Sequence, residues 1–356
     1  MTRDDYYTAL ASAGVNFIAR DGALVCSTDL AAGRASALCD LRPLAVLAMR
    51  GREARKFLQG YLTCDLSQLT SERWMIGALC NLQGRMLGTF TVTGTGAGTD
   101  ESIVLYMQTT TLTIVQQTLA KYAVFAKAKL RNETNDWVGI GLLGPAAEKL
   151  LASLGDFELS RSAGTRQIVR LQLASSPDNA TSGEGPITGE LLTHGSQRWE
   201  LWMPAASAKS AWTALSAELP IADYLRWQGA EIADGIGSVN GSTSGEYVPQ
   251  AFNLDLIDAV SFTKGCYLGQ EIVTRLQHRG ETKRRLYRIA VPSAVHIGDR
   301  VLRPDERDVG RVVQVGRNTA GNLEALAVLD RSDAAGPLHL PAGPVALMKL
   351  PYPLPD

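Results

Sequence analysis

The clearest chemical candidate in this sequence is Cys266, in the stretch KGCYLGQE that runs from Lys264 to Glu271. Lys264 precedes the cysteine by two residues, and the pattern predicts a helix over 270–277, so Cys266 lies just before a helix N-terminus. A nearby cation and a helix N-terminus both favour thiolate over thiol, and such surroundings lower a cysteine pKa from about 8.5 to roughly 3.5–7.5. The stretch therefore predicts a reactive thiol.

The residues around Cys266 would support that chemistry. Gly265 and Gly269 can let the backbone approach a ligand closely or adopt a positive φ, which is how such loops present N–H groups to an anion. Glu271 and Arg275 are four residues apart on one helical face. The alternative is a tight loop in which Cys266 merely packs and the Glu271–Arg275 pair faces water.

Composition limits the classes of protein that need to be considered. The chain has 356 residues, with 35 basic against 36 acidic residues and a net charge of -1, so no overall charge attracts nucleic acid or an anionic membrane. This length exceeds the usual size of one domain, and two or three domains are expected. The N-terminus lacks a signal-peptide pattern and no apolar run is long enough to cross a bilayer, which predicts a cytoplasmic protein.

The five cysteines are Cys26, Cys39, Cys64, Cys80 and Cys266, and no two form a C-x-x-C pair. Their odd number and scattered positions favour a reducing compartment. Neither a zinc site nor a self-contained iron–sulfur site follows from these spacings. No metal ligands are predicted.

The first third of the chain is predicted to be an α+β module. An apolar strand over Leu44–Met49 is followed, after Gly51, by apolar residues at helical spacing. The stretch ALCNLQGRMLGTFTV fits a β-hairpin and ESIVLYMQ a further strand. A helix is predicted over 109–122 and another strand over 124–130.

A second α+β module and an all-β domain are predicted to follow. The strand-to-helix pattern recurs in WVGIGLLGPAAEKLL and again in RWELWMP with SAKSAWTALSAEL. Between them, the polar segment Ala174–Glu190 predicts a mobile surface loop. After Thr282 only short strands separated by turn residues are found, which predicts a small β domain. The expected domains are 1–135, 136–282 with the KGCYLGQE loop, and 283–356.

The octet KGCYLGQE, with Arg275 after it, resembles the signature of the YgfZ family, folate-binding relatives of the aminomethyltransferase (T protein) of the glycine cleavage system. FLQGYLTCDLSQL, ALCNLQGRMLGTFTV, YLRWQGAEIADGI and YVPQAFNLDLIDAVSFTKGC also resemble family segments, so the resemblance covers most of 42–285. It implies an α+β fold in which two interleaved antiparallel modules and a C-terminal β-barrel form a three-part ring around a tetrahydrofolate pocket. Besides Cys266, it singles out Lys264, Gly265, Tyr267, Gly269, Gln270, Glu271 and Arg275.

The resemblance also implies residues that bind folate. RWELWMP is similar to a T-protein strand whose glutamate binds the pterin ring, which gives that role to Glu200, since a carboxylate can accept from adjacent N–H donors. Arg226 resembles an arginine that lines the same cavity, where it would bind the carboxylate tail or brace the pocket. Asn81 and Arg85 are further polar candidates. Alternatively, Glu200 and Arg226 face water, and Asn81 and Arg85 only shape a hairpin turn.

One departure from the T proteins concerns an aspartate that assists folate chemistry there. The corresponding positions in this chain are Leu87, Gly88 and Thr89, none of which carries a carboxylate. General acid–base catalysis by that group is therefore excluded, and ordinary glycine-cleavage activity is not expected.

Two basic segments, RGREARKF and HRGETKRR, are candidates for a local nucleic-acid patch. A solvated helix face is the favoured interpretation, because no aromatic residues alternate with the cations to stack bases. No direct contact with nucleic acid is expected.

The resemblance implies a tetrahydrofolate-binding accessory protein for iron–sulfur cluster assembly or repair, which supports tRNA modification through such enzymes and uses Cys266 as its working residue. Its partners would be folate and iron–sulfur client or assembly proteins, and no membrane. Two alternatives stay open: a folate-dependent aminomethyl (one-carbon) transferase with an altered active site, and a non-catalytic interaction scaffold. Cys266 could act by redox chemistry, by cluster contact or by attack on carbon.

Overall fold

The structure, a computed structural model, describes residues 1–95, 101–172, 186–195, 197–279, 282–292 and 294–355. The helices are α1 Arg3–Ser12, α2 Ala54–Gln59, α3 Thr109–Ala123, α4 Gly144–Ser153, α5 Ala205–Glu218, α6 Tyr224–Ala233, α7 Gln270–Arg279 and α8 Arg331–Ala334. The strands are β1 Phe17–Arg20, β2 Ala23–Cys26, β3 Ala37–Asp40, β4 Leu44–Arg50, β5 Met75–Cys80, β6 Met86–Thr95, β7 Ser102–Gln108, β8 Lys129–Asn132, β9 Trp137–Leu143, β10 Thr165–Leu171, β11 Ile187–Thr193, β12 Arg198–Pro204, β13 Ile221–Ala222, β14 Arg284–Ala290, β15 Arg300–Leu302, β16 Asp308–Arg317, β17 Leu323–Asp330, β18 Leu338–Leu340 and β19 Gly343–Met348.

The first sheet is antiparallel, with the strand order β5-β6-β7-β4-β8. Its core includes Leu47 of β4, Leu58 of α2 and Val115 of α3, so both helices pack on this sheet. The strand predicted over 124–130 is wrong for its first part, because α3 ends at Ala123 and β8 begins only at Lys129. The apolar signal came from residues such as Phe125 that are exposed in a turn.

The second sheet has the order β10-β11-β12-β9-β3-β13, and β13 pairs with β3 in parallel. Because β3 precedes every strand of the first sheet along the chain, the two modules are interleaved. Within the segment predicted to be a mobile loop, Ile187–Glu190 belongs to β11, which corrects that part of the prediction. Residues 173–185 lie outside the described residues.

The two sheets and α6 share a core. Tyr106 of β7 and Trp202 of β12 stack with their ring centroids 4.2 Å apart, and Trp227 of α6 belongs to the same buried cluster. Arg166 and Tyr106 both bond to the buried carboxylate of Glu190, at 2.5 Å and 3.2 Å. This core is largely apolar, includes the buried Arg166–Glu190 ion pair, and lies next to the cavity described below.

The C-terminal strands form a closed barrel with the order β14-β17-β16-β15-β18-β19. It contacts the rest of the chain through α6, where Gly229 lies so close to β16 that an added Cβ would collide with the Arg317 backbone. The buried guanidinium of Arg285 also binds both oxygens of Asp255, at 2.6 Å and 2.9 Å. The predicted α+β fold with a C-terminal barrel is confirmed. No helix in the described part of the chain has the length and apolar character that a membrane crossing requires.

Candidate functional site

The loop that carries Cys266 is anchored to the segment after α2. The Leu268 N–H donates to the Gly60 carbonyl at 3.1 Å. The Lys264 ammonium donates to the carbonyls of Leu62 and Cys64, at 2.9 Å and 2.8 Å. Burial lowers the pKa of Lys264 to about 8. In the structure, this lysine holds the loop in place by bonding to backbone oxygens.

The same loop packs on the turn between β5 and β6. Gly269 has a φ of +80°, and an added Cβ there would collide with the carbonyl oxygen of Asn81. The Asn81 side chain accepts from the N–H groups of Gln83 and Arg85, both at 3.0 Å, and so shapes the turn. Only glycine satisfies both the backbone conformation and the close approach at position 269.

Cys266 is exposed, whereas the other four cysteines are buried, and all five are free thiols. Gly265 beside it does not have a positive φ, and a Cβ added there would meet nothing within 4 Å. Burial raises the pKa of Cys26, Cys64 and Cys80 to about 12. Cys266 is thus the accessible thiol of this chain.

Cys266 lines an open cleft of about 1180 Å³. One wall carries a row of aromatic rings, with centroids 4.7 Å apart for Phe57–Tyr61 and 5.1 Å apart for Tyr61–Tyr122. Phe125 also lines the cleft and is 94% exposed. The motif residues that line it besides Cys266 are Tyr267, Gly269, Gln270, Glu271 and Arg275, and the remaining charged lining residues are Glu53 and Lys56. Helix α7 supplies Gln270, Glu271 and Arg275, and at its start the Gln270 side chain accepts from the Tyr267 N–H at 3.3 Å.

Ion pairs occupy two cations of the basic segment RGREARKF. Arg50 binds both oxygens of Glu133, each at 2.6 Å. Arg55 binds Glu101 at 2.8 Å and also donates to two backbone carbonyls. These arginines therefore stabilise the first sheet and are not free to bind a phosphate backbone.

A second site is a small cavity of about 50 Å³ between the two sheets, α6 and the segment that follows α6. Glu200 lines it and is 3% exposed. One carboxylate oxygen lies 2.9 Å from the His194 Nε2, and the other accepts from the Trp202 indole at 2.8 Å. Burial acts to raise the pKa of Glu200, but His194 and Trp202 hold it below its usual value.

The same cavity contains a second carboxylate, which the sequence analysis missed. Glu231 of α6 is 8% exposed, and its Oε2 accepts from the Gln314 amide of β16 at 2.8 Å. Burial raises the pKa of Glu231 to about 7. Thr89, in the region where the T proteins have their aspartate, lines the cavity too, and its hydroxyl accepts from the Val239 N–H at 2.9 Å. Its position in the mixed polar and apolar sequence YLRWQGAEIA gave no signal that Glu231 would face a cavity.

Only Glu200, of the four candidates for folate binding, lines the central cavity. Arg226 is buried away from this cavity and donates to the Ala35 carbonyl at 3.4 Å. Asn81 and Arg85 lie in the hairpin turn, where the Arg85 guanidinium donates to the Glu246 carbonyl at 2.5 Å.

Cys266 and the folate-binding candidate Glu200 line different spaces. The cleft that Cys266 lines and the cavity that Glu200 lines have no residue in common. The motif loop packs at the turn of the β5–β6 hairpin, whereas the cavity is lined by residues further along the strands, such as Ile76 and Phe90. Within the described residues, no group of three or more histidine, cysteine or acidic side chains is arranged to hold a metal ion.

Comparison with known proteins agrees with this architecture. The profile of the family described as the GCVT N-terminal domain matches residues 25–221, more than half of the chain. The solved structure of the glycine cleavage system aminomethyltransferase T from Bartonella henselae superposes with a TM-score of 0.77 at 15% identity, covering 97% of this chain and 96% of that chain. The fold and this match define the chain as a GCVT-domain protein.

Two curated relatives define its family more narrowly. The chain is 29% identical over 334 residues to the tRNA-modifying protein YgfZ of Klebsiella pneumoniae (strain 342), covering 90% of this chain and 94% of the relative. It is 31% identical over 253 residues to the protein of the same name from Colwellia psychrerythraea (strain 34H / ATCC BAA-681), covering 70% of each. Within the GCVT-domain proteins, the chain belongs to the YgfZ family.

Proposed function

We propose that this chain is a cytoplasmic, tetrahydrofolate-binding accessory protein that supports tRNA modification by assisting the assembly or repair of iron–sulfur clusters in client enzymes. Cys266 is its working residue. The names of the relatives support the link to tRNA modification, and the fold supports the link to folate. The observation that carries the proposal is the single exposed cysteine, placed by the KGCYLGQE motif on the wall of a large cleft.

The chemistry of the central cavity fits a pterin ring. A pterin presents adjacent N–H donors, and the ionised carboxylate of Glu200 is an acceptor fixed by two neighbouring side chains. The volume of about 50 Å³ holds only a few water molecules, so a pterin requires side chains to move. A second small cavity lies beside it, and Gln108 and Ser238 line both spaces.

Cys266 supplies one thiolate ligand or nucleophile, and the cleft beside it has room for a partner. Among the described residues, no group of three or more metal-ligating side chains is found. An iron–sulfur cluster carried as cargo would therefore be held jointly by Cys266 and a client protein. The aromatic row and the exposed Phe125 offer that client an apolar contact.

Folate binding is tested by calorimetry with tetrahydrofolate on the wild type and on Glu200→Ala. The loss of a charged, buried hydrogen bond should weaken binding by about ten- to a hundredfold. Unchanged affinity would remove Glu200 from the site. The aminomethyltransferase alternative requires turnover of isotope-labelled tetrahydrofolate, which the accessory-protein proposal does not. Absence of any folate affinity would instead favour the non-catalytic scaffold.

The role of Cys266 is tested in cells that lack their own copy of the gene. The wild type should restore thiomethylated tRNA nucleosides, measured by mass spectrometry, and Cys266→Ser should not. The matched control is Cys26→Ser, since Cys26 is buried and distant in sequence from the motif. Full restoration by Cys266→Ser would contradict the proposal.

A further inference from the structure

Two carboxylates line the central cavity, and their partners differ. Glu200 accepts from the Trp202 indole with one oxygen, its other oxygen lies 2.9 Å from the His194 Nε2, and the positive charge of Arg198 is close by. Glu231 accepts a hydrogen bond from the neutral amide of Gln314, lies beside the neutral indole of Trp227, and makes no ion pair among the described residues. Both side chains are more than nine-tenths buried, so bulk water does not solvate the charge of either carboxylate.

Burial without an ion pair has a definite consequence for a carboxylate. Removing a charge from water costs several kcal/mol unless a partner compensates, so an unpaired buried acid keeps its proton. Around Glu200, the side chains of His194, Trp202 and Arg198 together outweigh burial and favour the carboxylate. For Glu231, burial and the negative charge of Glu200 outweigh Arg198, Gln314 and Trp227 and favour the protonated acid. When the environments of two neighbouring acids differ in this way, one is ionised and the other is protonated, which separates an acceptor from a donor.

We infer that Glu231 binds the ligand of the central cavity in its protonated form and presents a hydrogen-bond donor to it, while Glu200 presents an acceptor. The ligand class that matches is a flat heterocycle whose polar atoms include both an N–H group and a carbonyl or imine acceptor. This inference deepens the proposed folate site and rests on it for the identity of the ligand. It also provides a protonated carboxyl group in the cavity, although Leu87, Gly88 and Thr89, the positions that correspond to the T-protein aspartate, carry none.

Several polar groups lie close enough to influence Glu231. They are Thr89 of β6, His194 after β11, Arg198 and Glu200 of β12, Trp227 of α6 and Gln314 of β16. Arg198 favours the ionised form of Glu231, but it also binds Asp234 at 2.7 Å, and Glu200 opposes ionisation. Burial and Arg198 lower the pKa of His194, so its ring does not supply a compensating positive charge at pH 7.

The proton itself can be observed without any ligand. A protonated carboxyl has a carbonyl stretching band that a carboxylate lacks, so infrared difference spectra of wild type against Glu231→Gln should contain this band near neutral pH and lose it in alkali. Asp40→Asn is the matched control, because burial raises the pKa of Asp40 to about 7 as well. A band that Asp40→Asn removes and Glu231→Gln leaves intact would overturn the inference.

The contact with the ligand is tested by calorimetry with 5-formyltetrahydrofolate between pH 6 and 8.5. Wild-type affinity should fall about tenfold over this range, because deprotonation removes a donor and adds a negative charge. Glu231→Gln keeps a neutral donor and should bind almost independently of pH, whereas Glu231→Leu should bind about tenfold more weakly throughout. Identical pH profiles for wild type and Glu231→Gln would overturn the ligand contact. Absence of binding by every variant would instead contradict the folate proposal, while the infrared band still decides the protonation of Glu231.

Discussion

Selective alkylation of Cys266 is the most direct test of the candidate site, because the cysteines of this chain have contrasting environments. Cys266 is exposed and the other four are buried. Burial raises the pKa of Cys26, Cys64 and Cys80 to about 12, so these thiols are neutral at pH 8. Iodoacetamide reacts with the thiolate, and we therefore expect Cys266 to react first.

The expected ratio of rates follows from the ionised fractions. At pH 8 a thiol with a pKa of 12 is ionised to about one part in 10⁴, whereas an ordinary thiol of pKa about 8.5 is about one-quarter ionised. A buried thiol of this kind thus has about 10³ times less thiolate than the reference thiol, and the limited access of the reagent to a buried sulfur slows it further. Cys26, Cys64 and Cys80 should therefore react on the order of 10³ times more slowly than a reference thiol, whereas the exposed Cys266 should be modified in the first, fast phase.

The assay measures each cysteine separately. Samples are quenched at intervals, digested, and the alkylated fraction at each position is determined by mass spectrometry. Cys266→Ser serves as the control that should lose the fast phase and keep the slow one. If a buried cysteine reacted within about tenfold of Cys266, or if Cys266 reacted only after denaturation with urea, the assignment of an accessible thiol would be refuted.

Three further predictions concern the supporting residues. Lys264→Met should lower the free energy of unfolding in urea by roughly 2 kcal/mol, because two carbonyls lose a charged donor. If Lys264 also stabilises the thiolate, as its sequence position predicts, the pH profile of Cys266 alkylation should move to higher pH. Gly269→Ala should cost roughly 1–3 kcal/mol, since φ is +80° and the Cβ collides with the hairpin turn, whereas Gly265→Ala should leave the melting temperature unchanged. Burial raises the pKa of Asp40 from 3.8 to about 7, so its stabilising contribution is complete below pH 3.8 and is lost as the pH rises to about 7. The urea midpoint of the wild type should fall over this range by the equivalent of at most roughly 4 kcal/mol, and Asp40→Asn should show a shallower fall; equal slopes would exclude this role.

Features that depend on local sequence were predictable. The strand Leu44–Met49 and the helix over 109–122 follow from apolar periodicity, and the structure has β4 and α3 at these positions. The motif around Cys266 was equally visible, because the glycine at 269 and the helix that follows it are encoded within a few residues. The strand predicted over 124–130 failed because Phe125 provides a β-type signal without any sheet to bury it.

Features that depend on distant contacts were not predictable from the residues alone. Resemblance led to Glu200 in the cavity, but nothing in the sequence indicated that Gln314 of the barrel would meet Glu231 of α6. Arg226 seemed a suitable partner for a carboxylate tail, yet the helix turns it toward the Ala35 carbonyl. Which face of a helix points at a cavity is decided by packing, and one sequence contains that information only implicitly.

The β5–β6 hairpin is the physical connection between the cleft and the cavity. Ile76 and Phe90 of this hairpin line the cavity, while its turn, at Asn81, meets Gly269 of the motif loop without space for even a methyl group. Close packing of this kind fixes the position of the motif loop relative to the hairpin. The cleft and the cavity therefore have no lining residue in common, but the β5–β6 hairpin contributes to the cavity with its strands and supports the Cys266 loop with its turn.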